Sequence, residues 1–188
     1  MPKCLLAISG KRKSGKDYCA KLIKEALERN RVSVEVVGIS NSLKMEYSKM
    51  HDLDFTELLT DKPYKEMFRK DMIKWGEDIR SRDSGRFCRA AISSVSDNDV
   101  IIVSDCRRPT DYEFFTKNYK TLTVRIEASE EHRKQRGFQF TNGVDDTDSE
   151  CGLDNSAFDF VLKNQTGEKL TPQIEIIIEQ IFRTINET

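Results

Sequence analysis

Residues 10–17 read Gly-Lys-Arg-Lys-Ser-Gly-Lys-Asp. Gly10, Gly15 and Lys16 match the spacing G-x-x-x-x-G-K that cradles a polyphosphate. Gly10 lets the chain leave a strand, and the amides that follow form an anion nest. Gly15 admits close backbone approach, and Lys16 reaches the outer phosphates. Lys11, Arg12 and Lys13 make the loop unusually cationic, with Ser14 between them and Gly15. The next position normally carries a Ser or Thr hydroxyl facing Mg²⁺, and here it is Asp17. A carboxylate cannot donate to a phosphate. It is favoured at a helix start by the dipole, and it offers a hard oxygen to Mg²⁺ directly or through water. The alternative is a plain helix-start carboxylate with no metal contact.

A second group follows an apolar run, in "IIVSDCRR". Asp105 stands where an acidic residue holds Mg²⁺ directly or through water. Arg107 and Arg108 offer the bidentate forks that suit phosphate; a structural Asp–Arg pair is the other reading. In "DKPYKEMFRKDMIKWGEDIR", Tyr64, Phe68, Met72, Trp75 and Ile79 recur at helical spacing. Lys65, Arg69, Gly76 and Arg80 share another face. Gly76 costs helix stability, so it makes room either for a ligand or for a helix–helix contact. Arg133 and Arg136 open a later insertion, as lid arginines that would neutralise charge during transfer. His132 beside them reads as a surface residue. Asn164 and Gln165 end an apolar run and could wall a base pocket. No N-K-x-D guanine signature, Ser/His/Asp order or nucleophilic-cysteine context is present. A phosphate acceptor is already ionised and needs no general base. Catalysis then consists of holding two anions in line and shielding their charge.

The elements that must position these residues follow from hydrophobic pattern. "KCLLAIS" reads as a buried strand before the loop, and "GKDYCAKLIKEALERN" as a helix ending near Asn30. "VSVEVVGIS", "DVIIVSD", "TLTVRIEAS" and "FDFVLKN" read as four more strands. Ile174, Ile177, Ile178, Ile181 and Ile185 mark an amphipathic closing helix. Continuous apolar strands separated by helices predict an α/β fold, a three-layer α-β-α arrangement around a five-stranded parallel sheet. The 188 residues form one domain, with a helical acceptor region over about 41–96 and a lid over about 130–155.

Formal net charge is −1, which disfavours general nucleic-acid binding. No apolar run reaches membrane-spanning length, and no signal segment precedes the first strand. The five cysteines form no C-x-x-C pair, so reduced thiols in the cytosol are expected, and structural zinc is not. Size and surface pattern lean to a monomer acting on small molecules.

Four segments, "SGKRKSGKD", "YKEMFRKDMIKWGE", "VSDCRRPTD" and "GVDDTDSECGLDN", together resemble the animal-type phosphomevalonate kinases. That family has a nucleoside-monophosphate-kinase-like phosphate-loop fold. The resemblance implies MgATP-dependent phosphorylation of (R)-5-phosphomevalonate to 5-diphosphomevalonate, in the mevalonate route to isoprenoids and sterols. It implies that residues 11–17 bind ATP phosphates, with Lys16 and Asp17 central; the family shares the Asp. Arg107 and Arg108 match its paired arginines, implicated in acceptor binding and transfer. Arg80 matches an Arg after the W-G-E segment, Arg136 a lid Arg on ATP, and Asn164 a substrate-binding Asn. Gln165 and Gln173 correspond to positions bordering ATP. Some relatives end in a peroxisome-like tripeptide; this chain ends "NET". A nucleoside or deoxynucleoside monophosphate kinase shares the fold and much of the site, and is the alternative. A nucleotide-dependent scaffold without transfer activity is a rival from another class.

Overall fold

The computed structural model describes residues 1–60, 63–95 and 97–187. Asp61, at the start of the amphipathic segment, Ser96, at the end of the expected acceptor region, and Thr188 of "NET" lie outside them. Five parallel strands form one sheet in the order β2-β3-β1-β4-β5, with β1 (Cys4–Ser9) in the centre. β3 (Val100–Val103) and β4 (Thr121–Glu127) flank it, with Ala7 opposite Val103 on one side and Thr123 on the other. β2 (Val34–Val37) and β5 (Phe160–Lys163) are the edges. The expected sheet is therefore found, and its topology brings all strand C-termini to one end, where open α/β sheets bind ligands.

The apolar run of β1 divides between two cores because successive side chains alternate. Leu6 and Ile8 pack with Cys19, Ile23 and Leu27 of α1 (Lys16–Arg29) and with Ile174, Ile177 and Ile181 of α9 (Leu170–Asn186). Leu5 and Ala7 face the opposite core. That core is supplied by α2 (Ile39–His51), α3 (Phe55–Leu59), α4 (Pro63–Arg82), α5 (Arg86–Ser93) and α6 (Pro109–Asn118). The predicted apolar face of α4 is seen: Met72 is buried there, and Tyr64, Phe68, Trp75 and Ile79 pack against the same cluster.

The second strand was expected to run through Ser40. It ends at Val37, and a helix begins at Ile39. Asp105, from the loop after β3, explains the early switch. Its carboxylate accepts from the amides of Ile39 at 2.6 Å and Ser40 at 2.9 Å. Two otherwise orphaned donors are thereby satisfied, as a capping side chain does locally. Of the two readings of Gly76, the helix contact is the one observed: a Cβ there would lie 2.5 Å from Leu43 Cδ1 of α2. Short helices α7 (Glu130–Gln135) and α8 (Asp148–Cys151) lie in the insertion between β4 and β5. No helix among the described residues is long and apolar enough to cross a membrane.

Candidate active site

The loop from Gly10 to Gly15 joins β1 to α1 at the C-terminal end of the sheet. It is shaped by close approaches that exclude side chains. A Cβ at Gly10 would meet Ser14 Oγ at 2.7 Å and the Ile126 carbonyl at 2.9 Å. Gly15 has φ 87° and lies so close to Asn164 that a Cβ would sit 2.1 Å from its amide nitrogen. Lys13 is also left-handed, with φ 65°. Ser14 N–H donates to the Lys11 carbonyl at 3.0 Å, closing the turn. No side chain caps α1 at Gly15, so its first amides point at the loop's concavity, the arrangement that attracts anions. Lys16 is buried to 9% exposure, and its Nζ donates to Asp17 Oδ1 at 2.6 Å. The Asp17 side chain itself is 79% exposed.

The insertion folds over this loop and grips it by its carbonyls. Arg136 donates to Ser14 O at 2.8 Å, Lys13 O at 3.3 Å and Asn164 O at 2.8 Å. Arg133 Nε donates to Arg12 O at 2.8 Å, and its guanidinium lies 3.8 Å from the Phe138 ring centroid. Asn164 Nδ2 donates to Ser14 O at 2.9 Å from beneath. The acidic half of the insertion takes the loop's own cations. Arg12 pairs with Asp145 at 2.8 Å, and Lys11 with Asp154 at 2.6 Å. Arg12 thus turns its guanidinium toward the insertion, while its amide donates to Glu150 Oε2 at 2.8 Å.

Beside the loop, Lys65 and Arg69 of α4, Arg80 of the same helix, and Arg107 and Arg108 converge on one recess of about 140 Å³. Helical spacing places Lys65, Arg69 and Arg80 on one face, and the structure brings Arg107 and Arg108 to the same recess from the loop after β3. Arg80 is buried to 7% exposure and stacks 4.9 Å from the Phe87 ring, with Asp111 3.5 Å away. Its Nε and Nη1 find no hydrogen-bond partner among the described residues. Burial raises the Asp111 carboxyl above the usual carboxylate range, against the pull of Arg80 and Arg108. Burial alone would raise Asp105 too, but Arg107, Lys16 and the Ser40 contacts outweigh it and hold that carboxyl low. Asp105 is therefore a fixed negative charge between the loop lysine and the paired arginines.

Lys44 of α2 also lines this recess. Burial, and then the neighbouring Lys65, push its pKa from 10.5 down to about 8, partly opposed by Asp105. Sequence reasoning missed Lys44 because α2 was begun too late and partly read as strand. The anionic partners Glu150, Asp145 and Asp154 were also missed as individuals, although the turn from basic to acidic within the insertion was their signal. Asn164 stands apart from the recess, under the loop. Gln165 and Gln173 stand apart from it as well. Gln165 accepts from Ser129 N–H at 3.2 Å, and Gln173 accepts from Lys163 N–H at 2.8 Å. Gln165 borders a separate cleft of about 780 Å³ that also touches Lys11, Ser14 and Ser129. His132, read as a surface residue, ties α7 to the loop after β5: its Nε2 accepts from Thr166 N–H at 3.0 Å.

The buried thiols take no part in this chemistry. Burial raises Cys4 to about 12 and Cys19 to about 11, and pushes Cys88 and Cys106 higher still than an ordinary thiol. A thiol held protonated is a poor nucleophile. Among the described residues, no group of three or more His, Cys, Asp or Glu side chains is arranged to hold a metal ion. A Mg²⁺ bound together with phosphate would need only one or two carboxylates rather than an all-protein cage. Asp17 is exposed beside Lys16, and Asp105 is buried with Oδ1 and Oδ2 accepting from the amides of Ile39 and Ser40.

Comparison with known proteins agrees with this geometry. Among solved structures, a gluconokinase from Sinorhizobium meliloti 1021 matches at TM-score 0.52 and 12% identity, over 98% of this chain and 95% of that one. The APS kinase of Mycobacterium tuberculosis, solved with AMPPNP and APS, matches at TM-score 0.51 and 12% identity, over 97% and 99%. These likenesses show the phosphate-loop kinase fold. A phosphomevalonate kinase of Drosophila melanogaster is 41% identical over 187 residues, covering 94% of this chain and 96% of the relative. A family model described as phosphomevalonate kinase matches residues 8–121, which include the loop, Lys44, Arg80 and the paired arginines. These two matches show that the chain belongs to the phosphomevalonate kinase family.

Proposed function

We propose a division of labour for the reaction that family membership gives this chain, the ATP-dependent phosphorylation of phosphomevalonate. The observation that carries it is the convergence of six cationic side chains, Lys44, Lys65, Arg69, Arg80, Arg107 and Arg108, on one recess beside the phosphate loop. Of the three carboxylates there, Asp105 is already engaged by the amides of α2 and Glu150 by Arg12 and Arg107. Asp111 faces Arg80, while Glu66 and Glu77 hold Arg69 and Arg108; guanidinium groups gathered in this way suit an acceptor that is itself a phosphate.

On the donor side, residues 11–17 bind the ATP phosphates, through loop amides other than those of Arg12 and Ser14, which Glu150 and the Lys11 carbonyl already engage. Lys16 addresses the β- and γ-oxygens, with Lys11, Arg12 and Lys13 adding to the potential of the loop. Arg133 and Arg136 close over the transferring group. Gln165 and Gln173 border the nucleoside, and the cleft touching Ser14 and Gln165 offers space for it. Asp17 and Asp105 would hold Mg²⁺, which would supply positive charge to the ATP phosphates. On the acceptor side, Lys65, Arg69, Arg80, Arg107 and Arg108 hold the acceptor phosphate, with Arg107 and Arg108 nearest the line of transfer. Asn164 supports this set through the loop, by fixing the Ser14 carbonyl. The acceptor oxygen is already ionised, so no side chain need remove a proton. Rate comes from orientation and from charge stabilisation at the transferring group.

The helical region over 41–96 and the insertion over 130–155 serve as acceptor platform and lid. Five free cysteines fit a reducing compartment, the cytosol. The chemistry needs only one chain, because both halves of the site come from the same one. An acceptor panel with purified protein tests the reading: ADP release with phosphomevalonate and none with nucleoside monophosphates is expected. Turnover of a nucleoside monophosphate with none of phosphomevalonate would overturn it.

A further inference from the structure

One carboxylate of the insertion joins the two halves of the site. Glu150 lies in α8, and its side chain is only 4% exposed. Oε2 accepts the backbone N–H of Arg12, in the phosphate loop, at 2.8 Å. Oε1 pairs with Nη1 of Arg107, in the acceptor recess. A donor-side amide and an acceptor-side guanidinium are therefore held one carboxylate apart.

We propose that Glu150 is a positioning residue for phosphoryl transfer, one that sets Arg107 against the phosphate loop. This rests on the reading of the site given above. A buried carboxylate is tolerated when charge and hydrogen bonds satisfy both oxygens, and these two donors do so. The Arg107 Nε is buried and has no hydrogen-bond partner among the described residues. Glu150 is thus the contact that fixes its guanidinium, leaving other N–H groups to face the recess. The loop is fixed independently, because the Arg12 guanidinium pairs with Asp145 and donates to Gln139 O at 2.6 Å. Removing Glu150 would therefore release Arg107 more than the loop. Misplacing such a group by about 1 Å can cost roughly 10²-fold in rate. A lid latch without a positioning role makes a different prediction. It would lower stability and raise both KM values, and its effect would not depend on Arg107.

A double-mutant cycle separates these. Glu150→Gln keeps the shape and an oxygen for the Arg12 amide, but loses the charge that holds Arg107. Wild type, Glu150→Gln, Arg107→Met and the double variant are compared for kcat, both KM values and thermal melting. Glu150→Gln is expected to lower kcat roughly 30-fold, with the KM for ATP within about twofold. In the Arg107→Met background it should lower kcat by less than about twofold further. Multiplicative losses, or an unchanged kcat in Glu150→Gln, would overturn the proposal. Should Glu150→Gln fail to fold, Glu150→Asp replaces it: the charge is kept and the reach shortened. A smaller loss that vanishes in the Arg107→Met background is then expected, and additivity or wild-type kcat overturns the proposal equally. A wild type that does not turn over phosphomevalonate would sink the functional reading itself. Wild-type turnover with an additive cycle would sink only the role of Glu150.

Discussion

The phosphate loop and the cationic recess beside it, proposed as donor and acceptor sides, are built on different principles. The donor loop is a backbone device. Its glycines meet Asn164, Ser14 and Ile126 at distances no Cβ could occupy, and its carbonyls are tied by Arg133, Arg136 and Asn164. Its cationic side chains are largely spoken for: Lys11 by Asp154, Arg12 by Asp145, Lys16 by Asp17. The acceptor recess is a side-chain device. It draws from α2, α4 and the loop after β3, and its arginines are held by carboxylates from separate elements: Arg69 by Glu66, Arg80 by Asp111, Arg107 by Glu150 and Arg108 by Glu77. Arg80 has two buried nitrogens, Nε and Nη1, without a hydrogen-bond partner among the described residues, and Lys44 is pushed down to about 8. The contrast teaches that the loop is organised ahead of its ligand, while the recess holds charge in a form that an incoming dianion would relieve.

Breaking the donor side should cost most in rate. Lys16→Met is expected to lower kcat by about 10²- to 10³-fold, the scale seen when one preorganised charge is removed from a transferring group. The fold should survive, because the loop is held by backbone contacts; steady-state kinetics with a thermal melt checks both. An unchanged kcat would remove Lys16 from the mechanism.

Breaking the acceptor side should act on binding. Arg80→Met is expected to raise the KM for phosphomevalonate about tenfold or more while leaving that for ATP within about twofold, since a charge-assisted contact is worth roughly 1.5–3 kcal/mol. Stability should fall as well, because the buried Asp111 carboxylate 3.5 Å away loses its guanidinium partner; replacing both, as Arg80→Met with Asp111→Leu, should recover much of that loss. Equal changes in both KM values would mean that the two halves are not separate.

The smallest effect sharpens the contrast through pH. As pH rises through about 8, Lys44 loses its charge. An acceptor phosphate beside it would favour the charged form, so binding takes up protons in that range. The KM for phosphomevalonate should rise several-fold above pH 8, as linkage to one lysine requires, and Lys44→Met should flatten the rise. The stability contribution has the opposite sign. The folded pKa lies below 10.5, so holding Lys44 charged costs stability below about pH 8, and the cost lifts as pH climbs toward 10.5.

The same contrast explains what the sequence made legible. Gly10, Gly15 and Lys16 sit within a few residues of one another, and a backbone device of that kind shows itself as local spacing. The sheet was equally legible, because buried parallel strands are continuous apolar runs. Lys65, Arg69 and Arg80 were grouped because one helix carries them at helical spacing. Lys44 was not, because its helix starts where Asp105 caps it, a contact between residues 66 apart in sequence. The partner of each cation was hidden for the same reason: Arg12 and Glu150 are separated by 138 positions. Gly76 could not be resolved from its own helix, since the answer lay on Leu43.

The central claim is that the recess recognises a phosphate already present on the acceptor. The direct measurement compares kcat/KM for phosphomevalonate with that for mevalonate, which has the same carbon skeleton and lacks the phosphate, under saturating MgATP. The account predicts at least about a 10³-fold preference for phosphomevalonate, because several charge-assisted contacts of roughly 1.5–3 kcal/mol each are lost together. It also predicts that Arg80→Met narrows that preference. Comparable turnover of the two compounds would contradict it.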